Sequence, residues 1–225
     1  MNMEGWIDVE VRDRDGRIIQ KGKHEMHSFL NNLLRMFLGW FNASGGTPPS
    51  TYGGPIASTP IVDTAGSTVS VYIENYAVIT NAPTGGGGCP ICCKAPAGDG
   101  SYGILVGSGT GSISLDQYNL VSPIPQGTGS GQLDYRETSV DDLGVDTNVI
   151  PPTYRWRIRR SILNSSDANI TFSEVGLFAR SYWKDGAAVR QDIKYILGRD
   201  VLSTPYTIPA GGSATVAITV EVKLG

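Results

Sequence analysis

Three cysteines lie within five residues, Cys89-Pro90-Ile91-Cys92-Cys93, and the chain has no others. Cys89 and Cys92 have the C-x-x-C spacing of half a structural zinc site, which needs four ligands. The two histidines, His24 and His27, are the residues that could complete such a set if the fold brought them together. Three clustered cysteines are not a disulfide framework, which scatters an even number through a chain. The flanks, Gly85-Gly86-Gly87-Gly88 before and residues 95–100 after, have loop composition. The expectation is therefore a solvent-exposed tip holding a local disulfide or plain thiols, with no bound metal or other cofactor.

Catalytic constellations are missing. The chain has no G-x-S-x-G elbow, no H-E-x-x-H and no phosphate-binding G-x-x-x-x-G-K-[ST]. Gly107-Ser108-Gly109-Thr110-Gly111 lacks the register of a dinucleotide loop and reads as a turn. Asp141, Asp142 and Asp146 could be a carboxylate dyad, but with no histidine nearby they read as a solvated acidic loop. The expectation is a protein that is not an enzyme.

The densest charge feature is Arg155-Trp156-Arg157-Ile158-Arg159-Arg160, four of the chain's twelve arginines. On a strand, Arg155, Arg157 and Arg159 share one face while Tyr154, Trp156 and Ile158 share the other. Asp134, Glu137, Asp141, Asp142 and Asp146 lie just upstream, so the stripe reads as a salt-bridged face or a subunit contact. The net charge of −3 and a pI near 5.4 argue against nucleic acid as a partner.

The elements that must position these groups follow from periodicity. Ile7, Val9 and Val11 alternate with polar residues, Asp13 to Gly16 supplies a turn, and residues 17–23 return, which predicts a hairpin. Ser28 offers an N-cap to a helix over 29–41. Asn31, Asn32, Arg35 and Gly39 fall on one narrow arc of that helix. The rest is large and apolar, so the helix must bury itself against the protein's own sheet or against a neighbouring subunit. At about 14 residues it is too short to span a membrane.

Residues 42–60 read as a linker. After it come short strands over 69–80, 102–106, 154–163, 170–179, 193–197 and 214–224, separated by Gly/Pro turns. In the last of these, Ala214, Val216, Ile218, Val220, Val222 and Leu224 share the inward face. No βαβ alternation occurs, and the fold class expected is all-β. The architecture is an antiparallel sandwich or jelly roll with an N-terminal hairpin and one apolar helix. The division expected is 1–45 and 46–225, or one continuous domain. With 40% hydrophobic residues the chain can bury a core. Residues 1–15 are polar and charged, which suits synthesis in a cytoplasm rather than secretion.

Three segments resemble a pattern common in structural proteins of tailed bacteriophages. The first is Gly103-Ile104-Leu105-Val106-Gly107-Ser108-Gly109-Thr110, followed by Leu115-Asp116-Gln117-Tyr118-Asn119-Leu120, Ile124 and Gly127. The second is Ile170-Thr171-Phe172-Ser173-Glu174-Val175-Gly176-Leu177-Phe178. The third is Gly198-Arg199-Asp200-Val201-Leu202 running through Ile208-Pro209-Ala210-Gly211-Gly212 into the last strand. The opening hairpin and His27-Ser28-Phe29-Leu30-Asn31-Asn32 are similar to openings in the same group. The resemblance implies a virion protein made in the host cytoplasm, a multi-copy subunit of a tail, baseplate, fibre base or capsid surface. Its partners would be copies of itself and other virion proteins. The residues expected at subunit contacts are Phe29, Leu33, Leu34, Phe37 and Trp40 of the helix, with Arg155, Arg157 and Arg159. The competing reading is a carbohydrate-binding sandwich that recognises a cell-surface glycan, with Tyr52, Tyr102 and Trp183 as stacking residues.

Overall fold

The computed structural model describes residues 2–41, 55–74, 91–184 and 190–223. They form ten strands and one helix: β1 (Asn2–Arg12), β2 (Ile18–Met26), α1 (Asn31–Phe41), β3 (Pro55–Val62), β4 (Thr68–Glu74), β5 (Gly103–Gly107), β6 (Asp134–Asp146), β7 (Thr153–Leu163), β8 (Ile170–Lys184), β9 (Arg190–Ile208) and β10 (Ser213–Lys223). Every pairing between these strands is antiparallel. A five-stranded sheet, ordered β2-β1-β10-β7-β6, lies in a sandwich-like arrangement with a three-stranded sheet, β5-β8-β9. A separate β3-β4 hairpin packs with α1 and β8. The fold is all-β, as the strand periodicity predicts.

Alternation decides the inner face of the large sheet. Ile7, Val9 and Val11 on β1 are buried, as are Ala214, Val216, Ile218 and Val220 on β10. Ile7 stands opposite Ile218, and Ile218 opposite Ile158. β10 is the central strand, so its even-numbered residues form the middle of the core. The three-stranded sheet is covered on both faces. All of residues 172–179 are buried, an uninterrupted run that excludes a half-solvated strand. The hairpin at the N-terminus is not a separate unit, because β1 pairs with β10 over residues 2–12.

Two hairpins turn by the same device. Gly16 has φ +80°, and the Asp13 carboxylate accepts the amides of Asp15 and Arg17, each at 2.9 Å. In β3-β4, Gly66 has φ +84°, and Asp63 accepts the amides of Ala65 and Ser67 at 3.0 and 2.8 Å. Only glycine takes these φ values without strain.

Several expectations are corrected. The helix starts at Asn31. The Ser28 carbonyl accepts the Arg199 amide, Phe29 forms a bridge with Gly198, and the Leu30 amide donates to the Leu197 carbonyl, so residues 28–30 extend along β9 and Ser28 is not an N-cap. The polar arc of the helix points partly inward. Asn32 is buried, donating to the carbonyls of Val62 and Ile196 and accepting the Val62 amide, while Leu34 and Leu38 are 54% and 57% exposed. An amide with three backbone partners is as content inside as a leucine. Residues 55–60, read as linker, belong to β3, and 42–54 lie outside the described residues. The acidic stretch at 134–146 is not a loop but the edge strand β6, held by cross-strand arginines. The strand expected over 69–80 is described only as β4, and that over 193–197 is the middle of the much longer β9.

Candidate functional site

Of the four weak metal candidates, the three described, His24, His27 and Cys92, form no ligand group. His24 Nε2 lies 2.8 Å from the Tyr206 hydroxyl and Nδ1 lies 3.2 Å from Ser203 Oγ. His27 faces the carboxylates of Asp200, at 3.3 Å, and Glu25, at 3.8 Å. Cys92 is disulfide-bonded and its backbone bridges that of Arg180, whereas Cys89 lies outside the described residues. No group of three metal-ligating side chains occurs among the described residues.

Cys93 corrects the exposed-tip reading: it is a free cysteine only 8% exposed. Burial pushes its thiol from 9.0 up to about 12. The thiolate is the nucleophile, so Cys93 is expected to resist iodoacetamide at pH 8 in the folded protein. It should be alkylated once denaturant is added, as read by peptide mass spectrometry; labelling of Cys93 in the native chain would contradict its burial. The sign with pH follows. The folded state keeps a proton that the unfolded chain releases above about pH 9, so stability present below that pH is lost as pH rises towards 12. Burial raises the Tyr135 and Tyr195 phenols in the same direction.

The arginine stripe is a salt-bridged strand face. Arg155 lies 3.1 Å from Asp146 and 3.0 Å from Glu221, and Asp141 lies 3.0 Å from Arg159 and 3.8 Å from Arg157. The register dictates this, since β6 and β10 flank β7 and place Asp141 opposite Arg157 and Glu221 opposite Arg155.

Arg160 falls on the other face and is buried. Its Nε donates to the Arg136 carbonyl, Nη1 to those of Tyr102 and Ile104, and Nη2 to those of Pro96 and Asp99. Five donors thus meet five backbone acceptors, with the Tyr135 ring 5.0 Å from the guanidinium carbon. Desolvation lowers the guanidinium pKa to about 10, against the opposing influence of Tyr135, so the group stays charged at neutral pH.

A second buried cation has a carboxylate partner. Glu174 and Arg199 have fully buried side chains, with Arg199 Nε donating to Glu174 Oε2 at 2.7 Å. Glu174 also accepts the amides of Gly109, Val121 and Ser122 at 3.1, 3.1 and 2.8 Å. Arg199 donates to Gln117 Oε1 at 2.9 Å and to the carbonyls of Ser112 and Gly111 at 3.4 and 3.1 Å. A Cβ on Gly107 or Gly109 would come within 2.4 or 2.5 Å of a Glu174 oxygen, which is why this run is glycine. The node therefore joins the three segments that carry the phage resemblance: the glycine loop, the Glu174 strand and the Gly198-Arg199 strand. Its polar atoms are used in holding residues 107–122 to the sheet.

The other concentrated feature is apolar. A cavity of about 550 Å³ is lined by Phe29, Leu33, Phe37, Trp156, Ile158, Leu177, Leu197 and Val220 among others, with Lys94 and Arg180 as its charged members. Of the expected contact residues, Phe29, Leu33 and Phe37 thus face this cavity and Leu34 faces outward, while the Trp40 side chain lies outside the description. Of the expected glycan-stacking aromatics, the structure describes the side chain of Tyr102 alone. Tyr102 is buried at 5% exposure under the Arg180 guanidinium, and Tyr52 and the Trp183 side chain lie outside the described residues.

Glu174, Arg199, Arg160 and Asn32 escaped the sequence reading. Two signals were present: Glu174 interrupts an apolar run, and alternation from Trp156 and Ile158 turns Arg160 inward. No helix among the described residues is long and apolar enough to cross a membrane. No protein family, curated protein or solved structure matches the chain.

Proposed function

We propose that this chain is a structural subunit of a virion, positioned in a tail, baseplate, fibre base or capsid surface and acting by assembly rather than catalysis. The observation that carries the reading is the outer face of α1. Leu34 and Leu38 point to solvent, and the start of the helix is tied to residues 115–116, where Leu115 is also exposed. Tyr118 and Val121 of the same loop are exposed as well. Apolar surface exposed on neighbouring elements marks an interaction site. The segments that resemble phage structural proteins support the same reading, because the buried node they build fixes this loop beside the helix.

The test is peptide mass spectrometry of purified particles from a genome carrying this reading frame. The chain is expected among the particle proteins, and a folded variant with Leu34→Ser and Leu38→Ser is expected to be lost from them. Particles that lack the wild-type chain would overturn the proposal.

A further inference from the structure

The outer face of the five-stranded sheet carries a charge pattern set by strand register. β10 is the central strand, with β1 and β2 on one side and β7 and β6 on the other. Lys23, Asp8, Ala217 and Arg159 stand in one row across the sheet. In the row on one side of it, Lys21, Glu10 and Thr215 are aligned, and in the row on the other side Thr219, Arg157 and Asp141. Across the strands these rows read plus on β2, minus on β1, neutral on β10, plus on β7 and minus on β6. Glu25, at the sheet's edge, is the exception, and it lies 3.8 Å from His27. Further along, Arg155 with Glu221 and Lys223 with Glu4 pair within the chain at 3.0 and 2.6 Å.

The middle of this face is a groove of about 320 Å³ whose floor is Thr215 and Ala217. Asp8 and Glu10 line one wall, and Arg157 and Arg159 the other. Glu10 is already paired, with Arg12 at 2.6 Å and Lys21 at 3.7 Å. Asp8 has no ion pair among the described residues, because Lys23 opposite it turns its ammonium over the Trp6 ring, 4.4 Å from the centroid. On the other wall one carboxylate serves two arginines. Asp141 lies 3.0 Å from Arg159 but 3.8 Å from Arg157, whose buried Nε has no hydrogen-bond acceptor among the described residues. The acidic wall thus has one carboxylate to spare and the basic wall one guanidinium.

We infer that this face pairs with the same face of a second copy of the chain, about a twofold axis parallel to β10. Such an axis keeps the position of a residue along the strand and exchanges the two sides of the sheet. β1 of one copy then lies over β7 of the other, and β2 over β6. Asp8 of each copy meets Arg159 of the other, with Arg157 one row away, and the lysines of β2 stand on the side of Asp141. A face whose signs reverse about its central strand is complementary to itself, which is what an isologous pair requires, whereas a face of one sign would repel its copy. The small floor residues leave room for opposing side chains at the spacing of about 10 Å between packed sheets. With strands about 4.8 Å apart and about 3.4 Å per residue, five strands by the 11 residues of β10 outline roughly 900 Å². A standard interface needs about 800 Å² per partner. The inference deepens the assembly reading above and rests on it for the place where the pair serves.

The experiment uses the full chain. Sedimentation of the wild type at high concentration is expected to give twice the 24.0 kDa chain mass. Asp8→Arg and Arg159→Asp each set like charges over one another in the pair, so each variant is expected to sediment as a single chain with unchanged circular dichroism. Mixed in equal amounts, the two variants are expected to recover the double mass. The introduced arginine of one then meets the introduced aspartate of the other, and the native contact is kept on the far side of the axis. A wild type that sediments as a single chain, an unchanged mass in either variant, or no recovery on mixing the folded variants overturns the pairing. A monomeric wild type found in particles overturns the pairing and leaves the structural reading standing. A paired wild type absent from particles removes that reading and leaves the pairing.

Discussion

Glu174→Ala is expected to cost about 3–5 kcal/mol of folding stability, the loss that follows when one member of a buried ion pair is removed and the other is left behind. That is a large share of the roughly 5–15 kcal/mol that holds a domain folded. The reason lies in what remains. Arg199 would keep its charge without the one ion-pair partner it has among the described residues, and the amides of Gly109, Val121 and Ser122 would lose their acceptor. Glu174→Gln keeps the shape and one acceptor oxygen, so its cost should be smaller. Urea unfolding measures both differences. Hydrogen exchange adds a local readout, because these three amides are protected by Glu174 alone among the contacts described and should exchange faster in the variants. A Glu174→Ala protein within about 0.5 kcal/mol of wild type, the range of ordinary surface changes, would mean that the node does not hold the loop.

What could be read from the sequence, and what could not, divides along the reach of each interaction. Alternation is local, and it identified the buried faces of β1 and β10 down to Ile218. The Asp13 to Gly16 turn is local too, and the same Asp-x-x-Gly chemistry at Asp63 to Gly66 turns the β3-β4 hairpin, whose first strand begins within the expected linker. β6 escaped because five acids in thirteen residues look solvated. Its strand character comes from arginines that are neighbours across the ladder, a pairing no local window contains. Helical periodicity places Asn32 on the polar arc of α1, but its partners lie on β3 and β9, far away in the chain. Cys93 was placed at a tip by its glycine flank. The Cys92 bridge to Arg180 instead lays that segment against β8, beneath other residues. The resemblance-bearing motifs looked like turn signatures, and only the fold reveals that they meet at one ion pair.

The same division separates two adjacent arginines, and substituting each should give opposite results. Arg159 lies on the outer face, half-exposed beside Asp141, and exposed pairs of this kind are worth about 0–1 kcal/mol. Arg159→Lys should therefore melt within a few degrees of wild type. Arg160→Lys is expected to cost about 3 kcal/mol or more, since a buried charged donor is worth about 1.5–3 kcal/mol per hydrogen bond and several are lost together. Lysine keeps the charge but offers three donors from a single atom, whereas the guanidinium spreads five across carbonyls of residues 96, 99, 102, 104 and 136. Those carbonyls come from the segment leading into β5, from β5 itself and from β6, so Arg160 is one of the points at which the two sheets are tied. For a chain of this length, about 3 kcal/mol corresponds to a fall of roughly 6–12 °C in melting temperature. The Cys93 segment runs through the same contacts, the Ala95 carbonyl accepting the Thr138 amide at 2.8 Å, so the loosened variant should also expose the Cys93 thiol to alkylation. Equal melting temperatures for Arg159→Lys and Arg160→Lys, with Cys93 still unreactive in both, would show that the five-carbonyl arrangement contributes nothing beyond an ordinary strand residue.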